Sequence, residues 1–252
     1  MTKVLNTVKI RKVKLFFRCI FLRPQEIKEK LKSLIEEAST IDPRLAIRLN
    51  QINRWIKDVK PGSLTAKKFV LFLLQQIIID ARTYLDIKSL SDEDKRQQYY
   101  QEMNPCQRYW YSYLFPKWLE EKDPDFETWK KKLMAGEFEQ SDTQVLTAVA
   151  KEIKQRGQDL WQSYIADVAM ATDIIVSNEL QHPLCVQLTS LSDVNSQSKF
   201  TKWENKLIYW GIERGLFLSY NPGIDGFIKQ IVNVSLENSD NLPIGVYLKF
   251  NL

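Results

Sequence analysis

The first half of the chain carries apolar residues at the spacing of an α-helix. Segment 24–39 begins with a proline, which suits the first turn of a helix because that turn does not use its N–H groups internally. Its apolar residues form one stripe, made of Ile27, Leu31, Leu34 and Ile35. Segment 42–59 repeats the pattern, and Pro61-Gly62 breaks it. Amphipathic helices are therefore predicted over both segments.

The helical pattern continues to about residue 135. Residues 63–85 are apolar on nearly every side, which predicts the central helix of a bundle. Residues 89–103 begin with a serine and an acidic turn, which favours another helix. An aromatic-rich stretch then runs through 104–138, with breaks at Pro116 and Pro124. Aromatic residues in this pattern suit a bundle core or a surface that stacks nucleic-acid bases, and the core is the favoured interpretation.

The pattern changes in the second half of the chain. Residues 141–171 still predict helix, with an interruption near Gly157. Asp173 then opens a short apolar strand, and a turn leads to a second strand at 184–190. The two strands together predict a hairpin.

The remaining segments predict further strands around one helix. Residues 199–214 are expected to form a helix that ends at Gly215. Residues 216–220 are continuously apolar, which is typical of a buried strand, and 227–252 predict two more strands around a turn. The whole pattern predicts an α+β fold. It divides into a basic arm with a helical domain, 1–135, and a small mixed β-sheet domain flanked by helices, 136–252.

The composition narrows the possible chemistry. The chain has 252 residues, with 44% hydrophobic and 27% charged positions, which is ordinary for a globular protein that is not membrane-embedded. Its three cysteines lie far apart and there is one histidine, His182, which excludes the usual Cys/His zinc sites and His-based triads. An odd, sparse set of cysteines favours a reducing, cytoplasmic location. The apolar runs are too short to span a membrane, so no membrane partner is expected.

The net charge of +5 comes from the amino-terminal arm. Residues 1–23 contain no acid and seven basic residues, which are Lys3, Lys9, Arg11, Lys12, Lys14, Arg18 and Arg23. Lys9, Arg11, Lys12, Lys14 and Arg18 are candidate nucleic-acid contacts. A solvated terminus remains the alternative for this arm.

The order of elements around the hairpin has a known counterpart. Asp173 stands at the head of one strand, and Gln187 and Thr189 lie two residues apart on the next, so their side chains share a face. This arrangement resembles the restriction-endonuclease-like, or PD-(D/E)xK, nuclease superfamily, whose core has the order αβββαβ. In that superfamily an acid opens the second strand and a (D/E)xK triplet lies on the third. The resemblance covers residues 136–252, and it requires a first strand where the sequence around Leu160 and Trp161 predicts helix.

The resemblance implies a magnesium site. Phosphodiester hydrolysis in the superfamily uses Mg²⁺ held by oxygen ligands, with a lysine that orients or activates water. Asp173 matches the strand acid, and Gln187 stands in place of the (D/E) residue. Glu152 of the preceding helix matches a further acid that many members carry. These three residues are the implied metal ligands.

The implied lysine is displaced. Thr189 occupies its position on the strand and cannot act as a cation. In some members the lysine has moved to the following helix, where Lys199, Lys202 and Lys206 lie at i, i+3 and i+7 and share one face. Lys202 is the favoured replacement and Lys199 the second candidate.

The expected function is therefore nucleic-acid processing. The first hypothesis is a Mg²⁺-dependent endonuclease acting on DNA or RNA, in defence or mobile-element biology by analogy with the superfamily. The alternative is a non-catalytic subunit or adaptor with a degenerate nuclease fold, which binds nucleic acid or protein partners in a larger complex. A helical adaptor whose small sheet only caps the bundle is a third possibility. Catalysis requires Asp173 and Gln187 to converge on a metal beside a lysine amine, whereas an adaptor would show Asp173 capped and Lys202 turned into solvent.

Overall fold

A helical half precedes a small mixed sheet in this protein, which confirms the predicted α+β fold. The computed structural model describes residues 22–57, 59, 67–136, 140–190 and 193–252. The basic residues Lys9, Arg11, Lys12, Lys14 and Arg18 lie outside the described residues. Within the described part of the chain, no helix is both long enough and apolar enough to cross a membrane.

The elements follow in chain order. The first half contains α1 (Pro24–Ile41), α2 (Pro43–Lys57), α3 (Lys68–Lys88), α4 (Glu93–Gln101), α5 (Pro105–Tyr109), a π-helical turn (Trp110–Leu114), α6 (Phe115–Glu120) and α7 (Phe126–Ala135). The second half contains α8 (Gln140–Gln155), β1 (Asp159–Trp161), α9 (Tyr164–Met170), β2 (Ile174–Ser177), β3 (Leu184–Thr189), α10 (Asp193–Tyr209), β4 (Gly215–Ser219), α11 (Phe227–Asn241) and β5 (Tyr247–Asn251).

The aromatic-rich stretch forms part of the helical core, as the favoured interpretation predicts. Trp110 and Phe115 are fully buried, and Trp118 is 1% exposed. Their rings contact one another: the centroids of Trp110 and Phe115 lie 5.8 Å apart, and those of Phe115 and Trp118 lie 5.7 Å apart. The π-helical turn begins at Trp110, so the aromatic cluster lies where the backbone changes its helical pitch.

The sheet has the strand order β1-β2-β3-β4-β5. β1, β2 and β3 form an antiparallel meander, which includes the predicted hairpin. β4 and β5 lie parallel to β3 because α10 and α11 each carry the chain back to the same end of the sheet.

Alternate residues of each strand face opposite layers. Ile175, Cys185 and Phe217 face the helical half and belong to its core. Val176 and Val186 face the other way and pack with residues of α8 and α11. The sheet is therefore covered on both faces, and its first face is shared with the N-terminal helices.

Three predicted elements differ from the observed ones. Leu160 lies in β1 instead of a helix, because it pairs with Val176 at the edge of the sheet. Residues 227–241 form α11 instead of a strand, since Ile231 and Ser235 are both fully buried at helical spacing. α10 ends at Tyr209 rather than near residue 214.

Gly215 is a position where the packing leaves no room for a side chain. A Cβ at this residue would collide with Leu207 and would lie 2.7 Å from Cη2 of Trp203, and both neighbours are buried. We expect Gly215→Ala to lower the free energy of unfolding by about 1–3 kcal/mol, because a packed core does not accept an added methyl group without strain. Urea unfolding checks this value, with Gly223→Ala in an exposed turn as the control. An equal loss of stability in the two variants would contradict the close packing at Gly215.

The buried carboxyl of Asp80 in α3 should make the stability of the protein depend on pH. It is fully buried, and burial raises its pKa to about 7, well above the usual range of an aspartate, although the Tyr111 hydroxyl donates to its Oδ1 at 2.9 Å. The folded state therefore keeps a proton that the unfolded chain releases above about pH 4. The stabilisation that this retained proton provides is complete below about pH 4, and it is lost as the pH rises through 7.

We expect the free energy of unfolding to fall between pH 4 and pH 8 by about 2–4 kcal/mol more in the wild type than in Asp80→Asn. Denaturant titrations at several pH values measure the two slopes. Asp94→Asn, which changes an exposed carboxylate of α4, should keep the wild-type slope. An unchanged slope in Asp80→Asn would remove Asp80 as the cause.

Candidate active-site cleft

A cleft of about 1140 Å³ lies where the sheet meets the helical half. Because β2 runs antiparallel to β3, and β4 parallel to it, the start of β2 and the ends of β3 and β4 share one edge of the sheet. Asp173 precedes β2, Gln187 and Leu188 lie near the end of β3, and Tyr220 follows β4. All four residues line the cleft.

Asp173 and Gln187 face each other across the hairpin. The Asp173 amide donates to the Val186 carbonyl at 3.0 Å, which continues the β2–β3 ladder by one residue. The Gln187 side-chain amide Nε2 donates to Asp173 Oδ2 at 2.7 Å, and the Leu188 backbone N–H donates to the same oxygen at 2.6 Å. The two side chains therefore meet through the Gln187 amide nitrogen, and the backbone N–H of Leu188 caps the same carboxylate oxygen, as expected for the non-catalytic alternative.

The structure separates the two candidate lysines. Lys199 lines the cleft with Asp173 and Gln187. Lys202, the favoured candidate, is exposed and is not among the residues that line it. Lys206 pairs with Asp125 at 2.7 Å, so the following helix brings Lys199 alone of the three into the cleft. Thr189 is half-buried on β3 and also lies outside the lining.

Glu152 does not join the other predicted ligands. Its carboxylate accepts hydrogen bonds from Arg156 at 2.9 and 3.0 Å, and Arg156 also donates to Asn233 of α11 at 2.6 Å. α8 presents Lys151 and Lys154 to the cleft instead. The lining residues Thr147, Ala150, Lys151 and Lys154 recur at helical spacing, and Glu152 lies on the opposite side of the helix from them.

A second carboxylate in the cleft belongs to Asp167, which the sequence analysis missed. α9 places it there, while its neighbours Ala166 and Val168 are buried. A single charged residue in the otherwise uncharged segment YIADVAM is the signal that could have identified it. Asp167 and Asp173 thus bring two carboxylates into the same cleft as the Gln187 amide.

Lysines from three helices surround these groups. Lys132 of α7, Lys151 and Lys154 of α8 and Lys199 of α10 all line the cleft, together with Asp167 and Asp173. The lining therefore carries more positive than negative side chains. An excess of lysines around one concave surface produces a positive potential that attracts polyanions.

A glutamine from the helical half holds the wall of the cleft that carries Asp167. The Gln76 side chain of α3 donates from Nε2 to the Gln162 carbonyl at 3.0 Å and accepts the Tyr164 N–H at 2.7 Å through Oε1. These two bonds satisfy backbone groups where the chain turns from β1 into α9. The start of α9 is also capped by Ser163, whose hydroxyl accepts the Ala166 N–H.

The oxygen donors of the cleft suit a hard cation that takes only a few of its ligands from the protein. Two carboxylates and an amide oxygen match the oxygen ligands that Mg²⁺ takes, since Mg²⁺ commonly binds one or two carboxylates and keeps several waters. Among the described residues there is no cluster of three or more His, Cys, Asp or Glu residues arranged for a metal ion. A metal here would therefore depend on Asp167, Asp173, the oxygen of a rotated Gln187 amide, and ligands from water or substrate.

No protein-family model, curated protein or solved structure matches this chain.

The Asp173–Gln187 contact allows a test of metal binding that does not need activity. Gln187→Glu replaces a hydrogen bond by two facing carboxylates, so we expect a loss of about 1–3 kcal/mol in stability at pH 8 in EDTA. Mg²⁺ at millimolar concentration should restore the melting temperature of this variant and raise that of the wild type less. Thermal melts with and without Mg²⁺ provide the measurement. Gln230→Glu on the exposed side of α11 is the control, and an equal Mg²⁺ effect there would argue against a site at Gln187.

Proposed function

We propose that this protein binds nucleic acid in the cleft and cleaves its phosphodiester backbone with the help of Mg²⁺. One observation carries the proposal: Asp167, Asp173 and Gln187 share a cleft with four lysines, Lys132, Lys151, Lys154 and Lys199. The phosphates of a nucleic acid need cationic partners. Their hydrolysis needs oxygen ligands that hold Mg²⁺ beside the scissile phosphate.

The order of elements supports the same proposal. The sequence α8, β1, β2, β3, α10 and β4 follows the αβββαβ order of the PD-(D/E)xK superfamily, with α9 inserted between the first two strands. Asp173 opens the second strand and Gln187 lies on the third, as in that superfamily. The departures are the neutral Gln187 and the absence of a lysine on β3.

Each residue of the cleft has a role in the proposed reaction. Asp167, Asp173 and the Gln187 amide oxygen would hold Mg²⁺, which supplies positive charge to the scissile phosphate and lowers the pKa of a bound water. Lys199 donates a hydrogen bond to the attacking water and holds it in line. Lys151 and Lys154 bind the flanking phosphates and fix the position of the strand.

A non-catalytic binding module is the second candidate. A specific observation favours it: Oδ2 of Asp173 already accepts hydrogen bonds from Gln187 and from the Leu188 amide, so the pair is satisfied without a metal. In that case the lysines bind the backbone and no bond is broken. Two buried free thiols, Cys106 and Cys185, support a cytoplasmic setting for either function.

Cleavage assays on plasmid, single-stranded DNA and RNA with Mg²⁺ or Mn²⁺ separate the two functions. We expect Asp173→Ala and Lys199→Ala each to reduce cleavage by about 100-fold or more, because one removes a metal ligand and the other a group that stabilises charge in the transition state. Lys202→Ala should stay within about twofold of the wild type, since this lysine of the same helix lies outside the cleft.

The outcomes are distinguishable. Loss of activity in Lys202→Ala but not in Lys199→Ala would contradict the assignment of Lys199 as the residue that holds the attacking water. A wild type that binds nucleic acid but never cleaves it, with binding weakened by Lys151→Glu, would support the non-catalytic module. Absence of both cleavage and binding would remove nucleic acid as the ligand.

A further inference from the structure

The edge of the sheet at β5 exposes main-chain hydrogen-bonding groups. Among the described residues β5 pairs with β4 alone, so its other side has no neighbouring strand there. The Val246 carbonyl, just before β5, accepts the Gly215 N–H of β4 at 3.3 Å. Because the direction of the backbone groups alternates from one strand residue to the next, the odd-numbered residues of β5 direct their N–H and C=O groups away from β4. These residues are Tyr247, Lys249 and Asn251.

Apolar side chains are exposed along the same edge. Val246 and Phe250 are 36% and 40% exposed, and Ile244, in the turn before β5, is 74% exposed. Leu248 lies between Val246 and Phe250 on the same face of the strand and packs on the core that α11 covers. An edge strand with free backbone groups and apolar side chains is a template for pairing with another strand. The composition of this edge therefore indicates a partner strand.

The other face of β5 carries groups of both charges. Tyr247 packs edge-on against a tryptophan of α10, and Lys249 donates to a glutamine of the same helix at 3.3 Å. Burial raises the pKa of Tyr247, and the negative charges of Glu204 and Glu213 raise it further, so both carboxylates lie near this side chain. This face thus has an acidic end at Tyr247 and a basic end at Lys249.

We propose that β5 pairs antiparallel with β5 of a second copy of this chain, so that two sheets join into one across a two-fold axis. Leu248 lies on the axis and faces Leu248 of the second copy. The outward backbone groups of Tyr247 then bond those of Lys249 in the other copy, and Val246 meets Phe250. This inference does not depend on the function proposed for the cleft.

The charges of β5 favour this partner and this register. A lysine on an edge strand opposes pairing when a like charge lies directly across from it, as it would if Lys249 faced Lys249. In the proposed register each Lys249 instead approaches Tyr247 of the other copy, with Glu204 and Glu213 nearby. The contact forms twice, because a two-fold interface is self-complementary. One strand thus supplies both the base and the acidic surroundings that it needs in a partner.

The length of the strand sets the expected strength of the dimer. β5 has 5 residues, so its pairing buries a small interface compared with those of obligate dimers. The exposed side chains of Ile244, Val246 and Phe250 add apolar area that leaves water on pairing. We therefore expect a reversible dimer whose fraction rises with protein concentration.

Sedimentation equilibrium of the full chain over a concentration series tests the dimer. We expect the wild type to pass from the mass of one chain to that of two. Lys249→Pro should raise the dissociation constant about tenfold or more, because each copy loses an outward N–H while the bonds to β4 remain. Phe250→Asp should also raise it, since a carboxylate then faces Val246. Ile47→Asp replaces an apolar residue of α2 that is 71% exposed, and this control should dimerise as the wild type does.

A cysteine on the two-fold axis tests the register. Leu248→Cys places two thiols at a non-hydrogen-bonded pair, whose Cα atoms lie about 4.5 Å apart and within reach of a disulfide. Mild oxidation should therefore link two copies of this variant. Phe250→Cys is the matched control and should stay unlinked, because each of its thiols faces Val246 of the other copy. The wild type, with its own cysteines, gives the background.

The outcomes separate the proposal from its rivals. A dimer weakened by Lys249→Pro and Phe250→Asp but not by Ile47→Asp would support pairing through β5. A chain that stays monomeric at every concentration would overturn it, and so would a dimer that Lys249→Pro leaves unchanged. Links through Phe250→Cys but not through Leu248→Cys would overturn the register. Circular dichroism melts verify folding, and Phe250→Asp remains informative if the proline variant is unstable.

Discussion

The fold depends on one shared hydrophobic face. Ile175 and Phe217 of the sheet belong to the same core as the helices that precede it, and Trp210, directly after α10, is fully buried there. The indole N–H of Trp210 donates to the Ala169 carbonyl at 2.8 Å, which ties α10 to α9 beneath the sheet. Because burial of apolar surface is the main stabilising contribution to folding, the two halves are held in one arrangement by this contact.

The cleft is a consequence of that arrangement. The helical half covers one face of the sheet, and the cleft opens at the sheet edge where β2 starts and β3 ends. Polar bonds complete the junction where apolar packing ends, as shown by Gln76, which satisfies the Gln162 carbonyl and the Tyr164 N–H across the two halves. A residue of the helical half thereby positions the helix that carries Asp167. The proposed site is thus built by both halves of the chain, although its strand residues come from the second half alone.

The proposed chemistry depends on the balance of charge in this cleft. The neutral Gln187 satisfies Asp173 through a hydrogen bond, so the pair is stable without a cation, unlike a pair of carboxylates. In the proposed function, the four lysines of the lining offset the charge of Asp167 and attract phosphate. A site of this kind suits loose metal binding that is completed by the substrate, since substrate phosphates are common ligands of Mg²⁺.

The hydrophobic pattern predicted the helical half, the hairpin and the buried strand β4 correctly, because these elements have strong periodicity and clear breakers. It failed for β1, whose three residues are too few to show a period of two beside a long helical pattern. It also failed for 227–241, where Ile, Val and Ser suggest strands although the buried positions recur at helical spacing. Strand pairing and burial decide such segments, and neither is visible locally.

The sequence by itself placed Asp173 and Gln187 on the two strands of one hairpin, while the register that brings them together is set by strand pairing and burial. It could not determine which lysine would join them, because Lys199 and Lys202 lie on the same helical stripe and only the packing of α10 decides which of its turns reaches the cleft. Asp167 and Lys132 reach the cleft from elements distant in sequence. Their meeting depends on how the helical half packs against the sheet, and only the tertiary structure decides that.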